Sequence, residues 1–281
     1  MKLFDPTQCR LGEGPLWLPE RKTLLWFDIL EKKMLARTGD KTRVWQFDRH
    51  HSAAGRLADG KVLLASEDGL WVFDLETEAR QQLCPLEADN PVTRSNDGRA
   101  DPWGGFWIGT MGIRAEPGAG AIYRYFGGAL QQVVPGITVS NTICFAPDRS
   151  CAYYSDTVTQ QIMCLPLDPE TGWPSSDPQL FADLTGEDLN PDGAVTDATG
   201  TLWVACWDAG CVIALGPDGQ ERKRLSLPAI RPTCPAFGGD DLTTLMVTSA
   251  YVDLTEPNTN QGQTFAFDGM AQGVPEPMVI L

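Results

Sequence analysis

The sequence predicts an all-β fold, a six-bladed β-propeller whose blades are four-stranded antiparallel sheets. Three observations support it: an internal repeat, short apolar strands bounded by turn residues, and the absence of a convincing helical stripe. The whole chain, residues 1–281, is expected to form one domain, because all-β domains often run past about 200 residues as single units. A β-sandwich or barrel with coincidental spacing is the alternative.

The repeat consists of two apolar segments that follow a turn in each unit. A second segment (MLA, LWVFD, AIYRY, QIMCL, CVIAL or TFAFD) follows the first every time, which favours blades over coincidence. The N-terminal residues 2–5 should close the ring by pairing beside residues 263–267 and so cover an edge strand. The central residues of the six first segments are Trp26, Leu64, Trp107, Tyr154, Trp203 and Met246.

The charge and composition exclude several classes of partner. The net charge of −15 disfavours nucleic acid and anionic membranes, and no apolar run is long enough to span a bilayer. The N-terminus lacks the apolar stretch of a signal peptide, so the cytoplasm is the expected location. The eight cysteines contain no CxxC pair and are expected to be reduced, mostly buried thiols.

Six positions, each six residues ahead of a turn, are expected where the innermost strands begin, at one mouth of the central channel. Four of the six carry a carboxylate or an amide. Such a set suits a hard divalent cation such as Ca²⁺, Mg²⁺ or Mn²⁺, and zinc also accepts carboxylates. The only histidines, His50 and His51, leave little material for a histidine-rich metal site or a Ser-His-Asp triad. The six positions are Glu13, Ala53, Asn96, Asn141, Asp192 and Thr233.

Each candidate also has a purely structural interpretation. Glu13 lies between two glycines, Asn141 could adopt a left-handed turn conformation, and Asp192 in NPDG resembles a turn residue. Asp97, Asp101 and Asp148 are expected to be turn or solvated residues. Most of the nine tryptophans should be core residues, with Trp17 and Trp207 as candidates for the mouth.

Four segments resemble the SMP-30/gluconolactonase/regucalcin-like lactonases in order and spacing. The resemblance spans essentially the whole chain and implies a six-bladed propeller with one catalytic divalent metal, in which Ca, Zn, Mn, Mg and Fe all remain open. By resemblance, Glu13, Asn141 and Asp192 correspond to metal ligands, and Arg94 and Asn96 to a substrate-binding pair. Asp192 also corresponds to the proposed general base. The segments are LGEGPLWLPE (11–20), RSNDGRADPWGGFWIGTM (94–111), VSNTICFAPD (139–148) and NPDGAVTDATGTLWVACW (190–207).

Two departures from the family pattern concern the site. Thr142 follows Asn141 where the family often has glycine. Beyond GTM, where relatives can place an acidic substrate contact, this chain has Arg114, with Glu116 just after. If Arg114 reaches the pocket beside Arg94, the two cations could bind a lactone that carries a carboxylate. An exposed loop arginine is the alternative.

The implied reaction is hydrolysis of aldono- or aldaro-lactones to the corresponding acids. Asp192 would take a proton from the attacking water, or would only position a hydroxide held by the metal; the sequence is compatible with both. Arg94 and Asn96 would orient the substrate. Two other functions stay open, a related propeller esterase or organophosphate hydrolase and a non-catalytic binding propeller with a structural metal. The expected partner is a small sugar lactone, and the chain is expected to be a monomer or a weak homo-oligomer.

Overall fold

The computed structural model describes residues 1–281 and contains six antiparallel sheets arranged as blades around a central channel. The predicted six-bladed propeller is therefore confirmed. Blade one comprises β2 (Gly12–Leu18), β3 (Thr23–Asp28), β4 (Lys33–Thr38) and β5 (Lys41–Gln46). Blade two comprises β6 (His51–Leu57), β7 (Val62–Ser66), β8 (Gly69–Phe73) and β9 (Arg80–Pro85). Blade three comprises β10 (Thr93–Ala100), β11 (Phe106–Gly112), β12 (Gly120–Phe126) and β13 (Ala129–Ile137).

The remaining blades follow the same order, from the innermost strand outward. Blade four comprises β14 (Ser140–Phe145), β15 (Cys151–Asp156), β16 (Gln161–Pro166) and β17 (Gln179–Asp183). Blade five comprises β18 (Asn190–Thr196), β19 (Leu202–Trp207), β20 (Cys211–Leu215) and β21 (Glu221–Ser226). Blade six comprises β22 (Pro232–Gly238), β23 (Thr244–Ser249), β24 (Thr264–Phe267) and the N-terminal β1 (Lys2–Asp5). Three short 3₁₀ turns occur at Pro19–Arg21, Thr157–Thr159 and Thr185–Glu187, and no helix is long and apolar enough to cross a membrane.

The ring closes as the sequence predicts. Strand β1 pairs antiparallel with β24, with Lys2 opposite Ala266 and Leu3 opposite Phe265. The last blade therefore contains strands from both ends of the chain. Closure of this kind gives β24 a hydrogen-bonded neighbour on its outer side.

The hydrophobic core lies between the blades. Six clusters of buried apolar side chains each join two neighbouring blades, so every blade packs through both of its faces. Trp26, Trp107 and Trp203, three of the repeat markers, are buried in these clusters. All eight cysteines are free, and most are buried, in line with their expected role as small core residues.

The channel has two ends with different coverings. We call the end where the innermost strands begin the site end and the end where they finish the tail end. The C-terminal tail crosses the tail end, where β25 (Met278–Val279) pairs parallel with β6. The Glu276 carboxylate forms a largely buried ion pair with Arg99, and the main-chain N–H of Ile280 donates to Gly104 O (2.8 Å).

Every innermost strand has a register shift close to the site end. Asn96 and Asp192 are each the first residue inside such a bulge, whereas Glu13 and Asn141 each precede it by one residue. The predicted equivalence of these four positions is therefore wrong in detail. A bulge adds one residue to one strand and changes the side-chain alternation, which regular residue spacing does not reveal.

Candidate functional site

A cavity of about 570 Å³ lies at the site end and is lined by all six residues that were predicted as metal ligands or substrate contacts. Five of these residues are buried in the floor, and Arg114 lies at the exposed rim. The bulges lie at or next to these positions on separate blades, and side chains from those blades meet in this one space. The six residues are Glu13, Arg94, Asn96, Arg114, Asn141 and Asp192.

Glu13 depends on the glycine that follows it. Gly14 adopts φ +56°, and a Cβ atom there would lie 2.2 Å from Ser52 O of blade two. Only glycine suits both the left-handed backbone and this close approach. The Gly14 N–H donates to Glu13 Oε2 (3.1 Å), so the turn also holds the carboxylate that it presents.

Asn141 precedes a residue that also has a left-handed backbone. Thr142 has φ +62°, which is strained for a β-branched residue. Its side chain is buried, and the hydroxyl donates to Asp192 O (2.7 Å) and lies 2.8 Å from Ser155 Oγ. Thr142 therefore joins blade four to the main chain of blade five.

The Asp192 side chain extends from the bulge of β18 and is only 4 % exposed. The next residue, Gly193, packs so closely on blade six that an added Cβ would meet Cys234 Sγ at 2.4 Å. Asp192 is therefore held between the Thr142 contact on one side and blade six on the other. The NPDG segment is a bulged strand, not a surface turn.

Arg94 and Asn96 form a buried polar pair on β10. Arg94 Nη1 donates to Asn96 Oδ1 (2.8 Å), and Asn96 Nδ2 donates to Ser140 O (2.9 Å) and to Asn141 Oδ1 (3.2 Å). The Arg94 Nε–H is buried and has no partner. This guanidinium therefore retains hydrogen-bonding capacity inside the cavity.

Burial and like charge disfavour ionisation of the carboxyl groups in the floor. Burial, together with the nearby Asp97 charge, raises the pKa of Glu13 to about 8. The pKa of Asp192 is raised well above its usual value by burial and then by the charges of Glu13 and Asp97. Burial likewise lowers the pKa of Arg94 to about 10, although Glu13 and Asp192 favour its charged form.

The residues fit a divalent cation by charge and by donor type. Two buried carboxyl groups, of Glu13 and Asp192, lie near the guanidinium of Arg94, so full ionisation of these three groups leaves an excess of one negative charge (two minus one). The buried Asp97 carboxyl lies near both of them and adds to their repulsion, while its own cationic neighbour is Arg99. The floor of the cavity offers the carboxylates of Glu13 and Asp192 and the Asn141 amide oxygen, a set of oxygen donors that hard cations prefer and that water would complete, and Asp253 is a further, exposed carboxylate of the lining. No three His, Cys, Asp or Glu side chains are grouped to hold a metal ion, so an ion here would depend on the amide.

The rim of the cavity combines two exposed arginines, Arg10 and Arg114, and the exposed Asp253 with an apolar wall. The side chain of Arg114 makes no hydrogen bond, and its main-chain N–H donates to Glu116 Oε2 (2.9 Å). Arg10, the other arginine near the rim, lies 3.8 Å from Glu31 Oε1. The apolar wall consists of Leu11, Leu30, Met111, Ile113, Ala115, Val139, Trp207 and Val252.

Two expectations about individual residues, those for Asp97 and Trp17, are corrected. Asp97 is buried and accepts a hydrogen bond from the Ile143 N–H (2.7 Å), so it is neither a turn residue nor solvated. Asp101 forms a turn, as expected, and is also fully buried in an ion pair with Arg124. Trp207 lines the mouth, whereas Trp17 packs near Gly238 at the opposite end of its strand.

Thr157 is a site residue that the sequence did not indicate. It lines the cavity from the 3₁₀ turn after β15 and contacts the amide of Asn141. The sequence carries no signal for it, because threonine is common in turns and the contact joins residues 16 positions apart. Asp97, by contrast, could have been suspected from its place beside Asn96.

Comparisons with known proteins agree with this architecture. Residues 11–251 match the SMP-30/Gluconolactonase/LRE-like region. The chain is 36 % identical to the 6-deoxy-6-sulfogluconolactonase of Pseudomonas putida, with 85 % of this chain and 83 % of that protein aligned. It is 34 % identical to the L-arabinolactonase of Azospirillum brasilense, with 90 % and 85 % aligned.

A solved structure is similar over the full length. The crystal structure of a calcium-binding protein, regucalcin, from Agrobacterium tumefaciens superimposes with a TM-score of 0.97 at 38 % identity, covering 100 % of this chain and 97 % of that one. The family match covers well over half of the chain, and it agrees with the resemblance seen in the four sequence segments. The chain therefore belongs to the SMP-30/gluconolactonase/LRE-like family.

Proposed function

We propose that this protein hydrolyses sugar lactones with the help of a divalent cation held by Glu13, Asn141 and Asp192. Family membership and the names of the relatives support lactone hydrolysis as the reaction. The observation that carries the proposal is the convergence of two buried carboxylates, an amide oxygen and a guanidinium in the floor of one cavity. The calcium-binding relative supports a divalent ion, and its identity among Ca, Zn, Mn, Mg and Fe stays open.

Each group of the site has a separate role in ester hydrolysis. When bound, the cation supplies positive charge that polarises an ester carbonyl and lowers the pKa of nearby water. Arg94 and Asn96 bind ring or hydroxyl oxygens and so orient the lactone. Asp192 accepts a proton from water as the water oxygen adds to the carbonyl carbon. The ring C–O bond then breaks, and the proton passes to the departing ring oxygen to give the hydroxy acid.

The proposal is tested with Asp192→Asn, which keeps the shape of the side chain and removes its basicity. We expect kcat/KM for lactone hydrolysis to fall by about 100-fold or more, because general base catalysis typically contributes that factor. The assay is continuous proton release at constant pH on a panel of five- and six-membered sugar lactones, after subtraction of the uncatalysed rate. The panel is run with Ca²⁺, Mn²⁺, Mg²⁺, Zn²⁺ and Fe²⁺.

The matched control is Asp148→Asn. Asp148 lies in an exposed turn and accepts the Ser150 N–H (3.0 Å), which asparagine can also do. Its activity should equal that of the wild type. Full lactonase activity in Asp192→Asn would refute the assigned role. Activity only on phosphotriesters or simple esters, or none on any substrate, would favour the esterase or the binding propeller instead.

We further propose that Arg114 selects lactones that carry an acidic substituent. Its side chain lies at the rim of the cavity without a hydrogen-bond partner, in a protein with a net charge of −15. A free cation at this place favours an anionic substrate group. The relative named 6-deoxy-6-sulfogluconolactonase is consistent with an anionic substituent in this family.

The test compares acidic and neutral lactones in Arg114→Ala and Arg114→Lys. We expect Arg114→Ala to lower kcat/KM for acidic lactones by about 10-fold, mainly through KM, and to leave kcat/KM for neutral lactones unchanged. This factor corresponds to the loss of about 1.4 kcal/mol of binding free energy between Arg114 and the acidic substituent. Arg114→Lys should keep most of the preference. Arg222→Ala, an exposed arginine on blade five, is the control. An unchanged ratio in Arg114→Ala would show that Arg114 is only a loop residue.

A further inference from the structure

A chain of hydrogen bonds crosses three blades beneath the cavity. Arg94 Nη1 donates to Asn96 Oδ1 (2.8 Å), and Asn96 Nδ2 donates to Asn141 Oδ1 (3.2 Å). Asn141 Nδ2 donates to Thr157 Oγ1 (2.8 Å), whose hydroxyl donates to Pro191 O (2.8 Å). The chain therefore runs from blade three through blade four to the residue that precedes Asp192 in blade five.

The groups at the two ends of this series of hydrogen bonds determine which atom donates and which accepts at each step. The guanidinium of Arg94 has only donors, and a main-chain carbonyl such as that of Pro191 only accepts. The single hydroxyl proton of Thr157 is used on Pro191 O, so its oxygen can only accept a bond from Asn141. The Asn141 amide must therefore turn Nδ2 toward Thr157, which leaves Oδ1 on the side of Asn96 and the cavity.

We infer that Thr157 is a positioning residue, whose hydroxyl sets the orientation of the Asn141 amide and thereby the affinity of the site for a divalent cation. This inference rests on the proposed function, in which Asn141 Oδ1 is a ligand. An amide that lost its partner at Nδ2 could turn its N–H groups toward the cation, where they would repel it. Residues that orient metal ligands typically contribute 10- to 100-fold in affinity.

The backbone around Thr157 is held without the hydroxyl. Its main-chain N–H donates to Val139 O (3.0 Å), and its carbonyl accepts from the Gln160 N–H (3.1 Å). The contact between blades four and five is also maintained independently, because Thr142 Oγ1 donates to Asp192 O (2.7 Å). Removal of the hydroxyl should therefore free the Asn141 amide and leave the turn and the blade contact in place.

The experiment measures Mn²⁺ binding to the metal-free protein by titration calorimetry. Thr157→Val keeps the shape of the side chain and removes the hydroxyl, and we expect its Kd for Mn²⁺ to rise by about 10-fold. Thr157→Ser retains the hydroxyl and should stay within about 2-fold of the wild type. Thr159→Val is the matched control, because this threonine is exposed in the same turn and its hydroxyl bonds Asp156 O, away from the cavity.

A second background separates orientation from general stability. Asn141→Asp has two equivalent oxygens, so its orientation no longer matters, and Thr157→Val added to it should change the Kd by less than about 3-fold. An equal loss in both backgrounds would make Thr157 merely structural and overturn the inference. Equal Mn²⁺ affinity of wild type and Thr157→Val, or a Thr157→Ser variant as weak as Thr157→Val, would also overturn it while the proposed function stood. A wild type that bound none of the five cations would refute both.

Discussion

The two ends of the central channel are built from the same six strands, but their charged side chains are arranged in opposite ways. At the tail end, Arg99 and Glu276 form a largely buried ion pair, with each side chain 11 % exposed. At the site end, the carboxyl groups of Glu13, Asp97 and Asp192 are buried together, and burial and mutual repulsion raise the pKa of the last well above its usual value. Opposite charges meet at one end, and like charges accumulate at the other.

This difference separates a structural role from a functional one. A buried ion pair satisfies its own charges, whereas clustered carboxylates lower stability until a cation binds them. Proteins keep such unfavourable arrangements mainly at sites that use them. The comparison predicts that removing one charge should destabilise the tail end and not the site end.

The largest expected effect on stability is at the tail end. Glu276→Gln should lower the free energy of unfolding by about 3 kcal/mol, because it removes the carboxylate that is ion-paired with the largely buried Arg99 guanidinium. Chemical denaturation at pH 7 measures the change. Glu78→Gln, which removes an exposed ion pair with Arg43, should change it by no more than about 1 kcal/mol. A loss below about 1 kcal/mol in Glu276→Gln would mean that the tail end does not depend on this pair.

The buried histidine at the site end, His51, makes the free energy of unfolding depend on pH, and this contribution can be measured separately. Burial lowers the pKa of His51 to about 4, and its hydrogen bond to Arg49 O works against that shift. The unfolded chain therefore takes up the proton first, near pH 6.5, so the His51 contribution to stability is complete above that pH and is lost as the pH falls toward 4. Between pH 7 and pH 5 the loss is about 2 kcal/mol.

The measurement is the difference in unfolding free energy between wild type and His51→Phe at both pH values. Using the difference cancels the contributions of the buried carboxyl groups, which have raised pKa values and act in the opposite direction. The variant should lose about 2 kcal/mol less than the wild type on acidification. Parallel pH profiles for the two proteins would show that His51 is not held neutral by the fold.

The smallest expected effect has the opposite sign from the tail-end variant. In the presence of a chelator, Asp192→Asn should leave the unfolding free energy unchanged or raise it by up to about 1 kcal/mol, because it removes one of the clustered negative charges. Saturating Mn²⁺ should raise the Tm of the wild type and not that of the variant. A strongly destabilised Asp192→Asn in chelator would remove the distinction between the two ends.

Much of the architecture follows from local patterns in the sequence. The repeat predicted where the blades lie, because a strand can be predicted from alternating apolar residues and a bounding turn. Both signals occur within about ten residues of sequence. The pairing of Lys2–Asp5 with β24 was also predictable, since an open ring leaves an edge that must be covered. The same repeat also predicted that Glu13, Asn141 and Asp192 lie at one end of the channel. All three line the cavity at that end.

The sequence by itself thus determined the number of blades, the closure of the ring and the residue types at the site. Only the tertiary structure decided that Asn96 and Asp192 lie inside bulges, whereas Glu13 and Asn141 precede them. It also decided that Asp97 is buried and that Thr157 contacts Asn141. The physical reason is range: strands and turns arise from interactions between near neighbours, whereas burial, charge excess and amide orientation depend on contacts between blades.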